Sequence, residues 1–426
     1  MIPRHASVPG ARLPRHAVAQ RTHRIRHAIA LVVVAALSFS TAGAAAAYTR
    51  FQGNVDVADV EALVGPAPTP SRTPDPDDPQ AGQDVTILIM GSDERDGENG
   101  VIGGTEGVAG MRSDTTIVAH ISADRTRAEL VSIPRDSLVD IPSCTMTDGS
   151  TSRAQYNAMF NSAFATGWDQ GGDLTSAAAC TIKTVQSLTG LTIDHFVVVD
   201  FAGFQQMVDA IGGVPICIPE DYNSPDAGLY VSAGYQTLDG QTALAYARAR
   251  KGTNMNGSDL QRATRQQELV AAMMRQVLSK NLFTNVSGLM QFLDAATSSL
   301  TVDPGLSHLT DMAGLALSLK NLDTSQIVLM TIPVATAPSD PNRVVWTSTA
   351  DEVWARMAAD QPVVATETPT ATATATADPS TTADSTATGT ATSDTTTESA
   401  SPTSTPTVSS IPGLDVNSAD TAGVCG

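Results

Sequence analysis

An uninterrupted uncharged run constrains this chain more than any other feature. From Ala28 to Tyr48 no residue is charged, while the 27 residues before it carry six arginines (Arg4, Arg12, Arg15, Arg21, Arg24, Arg26) and no acid. At about 1.5 Å of rise per residue, roughly 20 apolar residues cross a bilayer core. Bases before the run and the first acid at Asp56 place the N-terminus in the cytoplasm and the bulk of the chain outside, as a single-pass protein of the cell membrane. The small residues Gly43 to Ala47 also fit a cleaved signal peptide, so retention and cleavage both stay open. Either way, the rest of the chain is exported.

Composition divides the exported part. After a stretch opening at residue 49, GPAPTPSRTPDPDDPQAGQ (Gly65–Gln83) is rich in Pro and Asp and cannot pack a core. Residues 84–362 carry the apolar periodicities of one globular domain, and residues 363–426 form a Thr/Ser/Ala/Pro-rich tail expected to be disordered. Residues 1–27 are then a cytoplasmic basic tail, 28–48 the anchor and 49–83 a linker. The net charge of −19 argues against a nucleic-acid partner, so any anionic ligand must meet a local cluster of cations. Cys144, Cys180, Cys217 and Cys425 are all exported and even in number, which points to disulfides. Of the three pairings, Cys144–Cys180 with Cys217–Cys425 is favoured because the first two bracket one irregular segment.

Strands and helices alternate within the domain. VTILIMG (Val85–Gly91), TTIVAHI (Thr115–Ile121), AELVSIP (Ala128–Pro134), HFVVVDF (His195–Phe201) and Ile327–Ile332 read as strands. Helices are predicted over Thr175–Leu188, Gly203–Ile211, Leu238–Ala247 and Leu260–Ser279. A mixed α/β sheet covered on both faces fits this pattern.

Charged residues gather at the strand ends, where α/β folds form ligand crevices. The first strand runs into Asp93, Glu94 and Arg95; Arg112 and Asp114 open the second; Arg135 and Asp136 close the third. The six-residue turn Ser122–Arg127 implies an antiparallel hairpin, which brings Asp114 near Arg135. A first strand parallel to the third adds Asp93 to that edge. Converging carboxylates repel unless a cation is shared, and magnesium takes one or two carboxylates together with substrate phosphate. Guanidiniums grip phosphate bidentately. A second cluster joins Arg248 and Arg250 to Asp259, Arg262, Arg265 and Gln266; Asp259, Arg262 and Gln266 share one helix face. The Gly-rich stretch Gly97–Gly110 lacks a phosphate-loop context and reads as a flexible loop. His195 reads as a partly buried strand residue, and Ser92 lacks the elbow of a hydrolase triad.

The segments ILIMGSDER, MRSDTTIVAHI, LVSIPRDSLVDIP, TGLTIDHFVVVDFAGFQQMVDAIGGVPICIP, LDGQTALAYARAR and DLQRATRQQ together resemble the LytR-CpsA-Psr family, over about Val85 to Met273. The resemblance implies a three-layer α/β/α domain with a central mixed sheet and an apolar groove for a polyprenyl chain. It implies a transferase of the phosphotransferase type, which moves a glycopolymer from a polyprenyl-pyrophosphate carrier to a peptidoglycan hydroxyl and releases polyprenyl phosphate. By position, Asp93 and Asp114 are expected to hold Mg2+ (or Mn2+). Arg112, Arg135, Arg248, Arg250, Arg262, Arg265 and Gln266 are expected at the pyrophosphate. Arg135, Asp136 and Asp93 are the expected catalytic residues, Asp136 as acceptor base. The expected partners are the lipid-linked glycan, peptidoglycan and membrane lipid. Two alternatives use the same residues: a magnesium-dependent polyprenyl-pyrophosphate pyrophosphatase and a non-catalytic lipid-binding or regulatory envelope protein.

Overall fold

The computed structural model describes residues 15–65, 82–93, 99, 101–102, 110–279, 286–319, 322–366, 408–409, 416–418 and 425. The chain before Arg15, most of the Pro/Asp spacer, most of the tail, Arg95 and most of Gly97–Gly110 lie outside the described residues.

Eight strands build the central sheet: β1 (Asp56–Val57), β2 (Val85–Ser92), β3 (Ser113–Ile121), β4 (Ala128–Ile133), β5 (His195–Val199), β6 (Leu300–Val302), β7 (Ile327–Thr331) and β8 (Val416–Ser418). Their order is β1-β6-β5-β2-β3-β4-β7-β8. β3 runs antiparallel to both β2 and β4, whereas β2–β5 and β4–β7 are parallel pairs. The sheet is therefore mixed, and the 122–127 turn closes the expected hairpin, with Ile121 opposite Ala128 and Thr116 opposite Ile133.

Alternation along the strands feeds two cores. Leu88, Met90, Val118, Val131, Phe196 and Val198 face helices Ser162–Gly171, Leu174–Thr189 and Ser348–Ala358. On the other face lie Val85, Ile87, Ile89, Ile117, Ala119 and Ile121, packed with Val270, Ala271 and Met274 of helix Asp259–Ser279. Because both faces are covered, β2 reads as a nearly continuous apolar run rather than an alternating one. A smaller core joins helices Phe201–Ala210 and Gly240–Arg248 to the hairpin of Val214–Ile218 with Gly234–Leu238.

Asp173, Asp200 and Asp239 set the helix starts, each accepting a backbone N–H in the first turn, from Ser176, Gly203 and Thr242 at 2.7–2.8 Å. Gly203 also permits a close approach, since a Cβ there would fall 1.8 Å from Ser299 Cβ on helix Val286–Ser299. The structure pairs Cys144 with Cys180, and Cys217 with Cys425, which ties residue 425 to the hairpin. Helix Arg15–Asn54 contains one segment, Ile29–Asn54, long and apolar enough to cross a membrane.

A buried polar network locks the β3–β4 hairpin to the segment after helix Ser348–Ala358. Arg127 bonds Glu129 at 3.1 Å and Asp360 at 2.5 Å, and His120 Nε2 lies 3.2 Å from Asp360. Glu129 is buried, and burial pushes its carboxyl above the ordinary value against the pull of Arg127 and His120. The native state therefore holds this proton at pH values where the unfolded chain has released it. Stability should fall as pH rises from the ordinary carboxylate range, about 4.3, through the raised value. Urea midpoints measured across that window should show the decline, and Glu129→Gln should flatten it.

Candidate active site

The strand ends converge as their polarity implies. At the β2–β3 edge, Asp93 N–H donates to Arg112 O at 2.9 Å and the Asp93 carboxylate accepts from the Arg112 N–H. One residue into β3, Asp114 Oδ1 accepts from Arg135 Nη1 at 2.5 Å. Arg135 immediately follows β4 and Pro134, and its backbone N–H donates to Asp259 Oδ2 at 3.1 Å. Arg262 donates to the Asp114 carbonyl at 3.1 Å and to the Asp259 carboxylate. Asp114, Arg135, Asp259 and Arg262 thus form one network drawn from three elements.

This network forms one end of a cavity of about 910 Å³. Arg135, Arg248, Arg250, Lys251, Arg262 and Gln266 line it with Asp114. The rest of its wall is mostly apolar and includes Ile89, Ile117, Phe204, Met273, Val277 and Phe292, with Asp200 and Asp226 also on the lining. Helix Asp259–Ser279 spans both regions. From Arg262 to Val277 the rise is roughly 22 Å, running from guanidinium to hydrocarbon. The cavity lies between the sheet face of Ile89 and Ile117 and the helices that cover it.

Electrostatics here favour an anion. Burial lowers the guanidiniums of Arg248 and Arg262 below their ordinary values, and neighbouring carboxylates act against that. For Arg248 those carboxylates are Asp114 and then Asp93, which places both metal candidates beside it. Arg135 is pushed down by burial but ends raised, because Asp114, Asp259 and Asp136 outweigh it. The Nε–H groups of Arg135, Arg250 and Arg262 are buried without a hydrogen-bond acceptor. Arg248 also lies over the Phe201 ring, 4.5 Å from its centroid.

Not every expected residue faces the cavity. Arg265 is buried and turned away, donating to Tyr246 O at 3.3 Å and to Ala249 O. It braces the segment carrying Arg248 and Arg250 rather than reaching a ligand. The Arg112 side chain is exposed and does not line the cavity. Asp136 is buried behind the lining, with Arg343 at 3.2 Å, Arg250 at 3.5 Å and Arg135 at 3.8 Å. That place differs from the one expected of an acceptor base, since a base must reach the proton it takes. Asp136 positions guanidiniums. Asp136→Asn should cost about tenfold in kcat/KM with the pH profile unmoved, because an amide keeps the shape but weakens charge-assisted bonds. Rates across pH check this; a lost ionisation would restore the base.

Sequence reasoning missed Arg343. It sits in the hairpin of Val334–Ala337 with Asp340–Trp346, a lone cation in a polar stretch, and only the pairing of Ser137 with Val344 brings it to Asp136. His195 on β5 is held at 3.0 Å from Asp303, the residue after β6, in a buried structural pair.

Among the described residues no group of three or more His, Cys, Asp or Glu is arranged to hold a metal ion. Of the two expected metal ligands, Asp114 lines the cavity and Asp93 does not, though it lies at the same strand edge, bonded to Arg112. An all-oxygen pair completed by phosphate and water suits a hard cation such as magnesium.

A mixed sheet covered on both faces, with an arginine-lined cavity beneath one of them, defines the class of α/β fold this chain adopts. Residues 48–359 match the model of the LytR_cpsA_psr family, and the chain belongs to the LytR-CpsA-Psr family. It is similar to the cell wall biosynthesis protein LcpA of Corynebacterium glutamicum, 33% identical over 262 residues, covering 58% of this chain and 49% of that one. It is also similar to the polyisoprenyl-teichoic acid–peptidoglycan teichoic acid transferase TagU of Oceanobacillus iheyensis, 30% identical over 244 residues, covering 57% and 66%. The matches thus span about half to two thirds of these relatives. The solved LytR-Csp2A-Psr enzyme from Actinomyces oris is 23% identical with a TM-score of 0.46, covering 72% of this chain and 95% of that one.

Proposed function

We propose that this protein transfers a phosphate-linked glycopolymer from a polyprenyl-pyrophosphate carrier to a hydroxyl of peptidoglycan, outside the cell membrane. The observation that carries this reading is the two-part cavity, with guanidiniums at one end and mostly hydrocarbon along the rest. A ligand with an anionic head and a long apolar tail matches both parts. The relatives' names, a cell wall biosynthesis protein and a teichoic acid transferase, point the same way.

In this reading Arg135, Arg248, Arg250, Arg262 and Gln266 hold the pyrophosphate. The acceptor oxygen bonds to the glycan-side phosphorus, the bond from that phosphorus to the bridging oxygen breaks, and polyprenyl phosphate departs with that oxygen. The hydroxyl proton passes to solvent. The guanidiniums stabilise charge on the transferring phosphoryl group and the leaving phosphate. Asp93 and Asp114 would hold magnesium, which when bound neutralises phosphate charge.

The test is turnover of a synthetic polyprenyl-pyrophosphate glycan, with and without a peptidoglycan fragment and across magnesium concentrations. Expected are dependence on acceptor and metal, and a raised metal requirement in Asp93→Ala. Hydrolysis indifferent to acceptor would favour the pyrophosphatase instead. A tightly bound but intact lipid would favour the binding protein.

A further inference from the structure

The apolar segment does not end in a loose tether. The same helix continues past Tyr48, and its last turns are fastened to the domain. Arg50 bonds Asp294 through Nε at 3.0 Å and Nη2 at 2.7 Å, and Asn54 adds a bond to Asp294 at 3.2 Å. Gln52 donates to Ser307 O at 2.7 Å and accepts from the Leu309 N–H at 3.1 Å. Phe51 is buried.

These contacts select two helices, Val286–Ser299 and Leu309–Ser318. Arg50 lies two residues beyond the uncharged run, so Asp294 sits within roughly one helical turn, about 5 Å, of where the helix leaves the hydrocarbon. The same two helices wall the apolar part of the cavity, through Phe292 and Ala316, followed by Leu319 and Leu322. They also carry large apolar side chains that the chain leaves open: Met290 is 39% exposed and Leu317 48%. Met290 precedes Asp294 by four residues and therefore shares its helix face.

We propose that the domain seats on the bilayer through these two helices, with Met290 and Leu317 dipping into the lipid, so that the prenyl chain enters the cavity sideways from the membrane. The inference rests on the lipid-linked donor proposed above and on a retained anchor. A helix fastened this close to the membrane surface fixes which side of the domain faces it. That side holds the hydrocarbon end of the cavity, and lateral entry spares the apolar chain a passage through water. The arginine end then faces away from the lipid, toward the wall.

The full-length chain reconstituted in phosphatidylcholine vesicles decides the matter. Met290→Trp and Leu317→Trp are each compared with the parent, whose Trp168, Trp346 and Trp354 supply the baseline. In vesicles with brominated acyl chains, the added tryptophan should lose roughly half or more of its emission, as expected for an interfacial side chain. A second chain carries about ten Gly/Ser residues inserted between Tyr48 and Thr49, which frees the domain from the surface but spares the contacts of Arg50 and Gln52. It should turn over a short, water-soluble prenyl-pyrophosphate donor at the parental rate, and a long-chain donor in vesicles about tenfold slower or worse. Unquenched tryptophans, or equal long-chain rates, would overturn the seating. No turnover of the short donor by the parent would overturn the functional reading, and the quenching result would still decide the seating.

Discussion

Replacing Arg135 with alanine is expected to lower glycan transfer by about 10²–10³-fold, the cost of losing one preorganised charge donor at a transferring phosphoryl group. Arg135 lines the cavity and is held by Asp114 at 2.5 Å and by Asp259 at 3.5 Å. Three carboxylates, Asp114, Asp136 and Asp259, lie around it, so its removal both deletes a phosphate donor and leaves negative charge facing the ligand. Arg262 remains to pair Asp259, which should keep the fold. Arg135→Lys should recover little, because an ammonium cannot present the planar fork. Single-turnover rates with melting temperatures as a control measure this; a loss below about tenfold would contradict the role.

Met273→Asp is expected to weaken binding of a long-chain donor by at least about 100-fold while the protein still folds. Met273 is half-buried on the cavity wall, one helical turn beyond Leu269 and one before Val277. Without a lipid, water can solvate the new carboxylate; with a prenyl chain alongside, it must be desolvated or protonated, which costs several kcal/mol. Met273→Leu, close in volume, should bind nearly as the parent does. Calorimetric or fluorescence affinities for donors of increasing chain length check both variants. Equal affinity in the aspartate variant would mean that the lipid lies elsewhere.

Much of the site was legible because its residues stand at the ends of apolar strands. A six-residue turn forces the β3–β4 hairpin, and the hairpin forces Asp114 toward Arg135. The helix pattern was legible as a face but not as a partner. Arg265 and Gln266 are adjacent in sequence yet point about 100° apart on a helix, so Gln266 lines the cavity while Arg265 bonds to carbonyls at Tyr246 and Ala249. The family resemblance made Asp136 the expected base, but its place among Arg135, Arg250 and Arg343 is a tertiary fact. Arg343 and Phe292 were invisible for the same reason: each reaches the site region through packing between segments far apart in sequence.

A phosphate-linked glycan that moves from lipid to wall leaves two defined products. Mass spectrometry of the products tests the transfer most directly, after incubating the full-length chain with magnesium, a polyprenyl-pyrophosphate glycan and a peptidoglycan fragment. The expected product is a peptidoglycan–glycan conjugate joined by one phosphodiester, with an equal amount of polyprenyl monophosphate. Glycan phosphate free in solution and unmodified peptidoglycan would contradict the transfer.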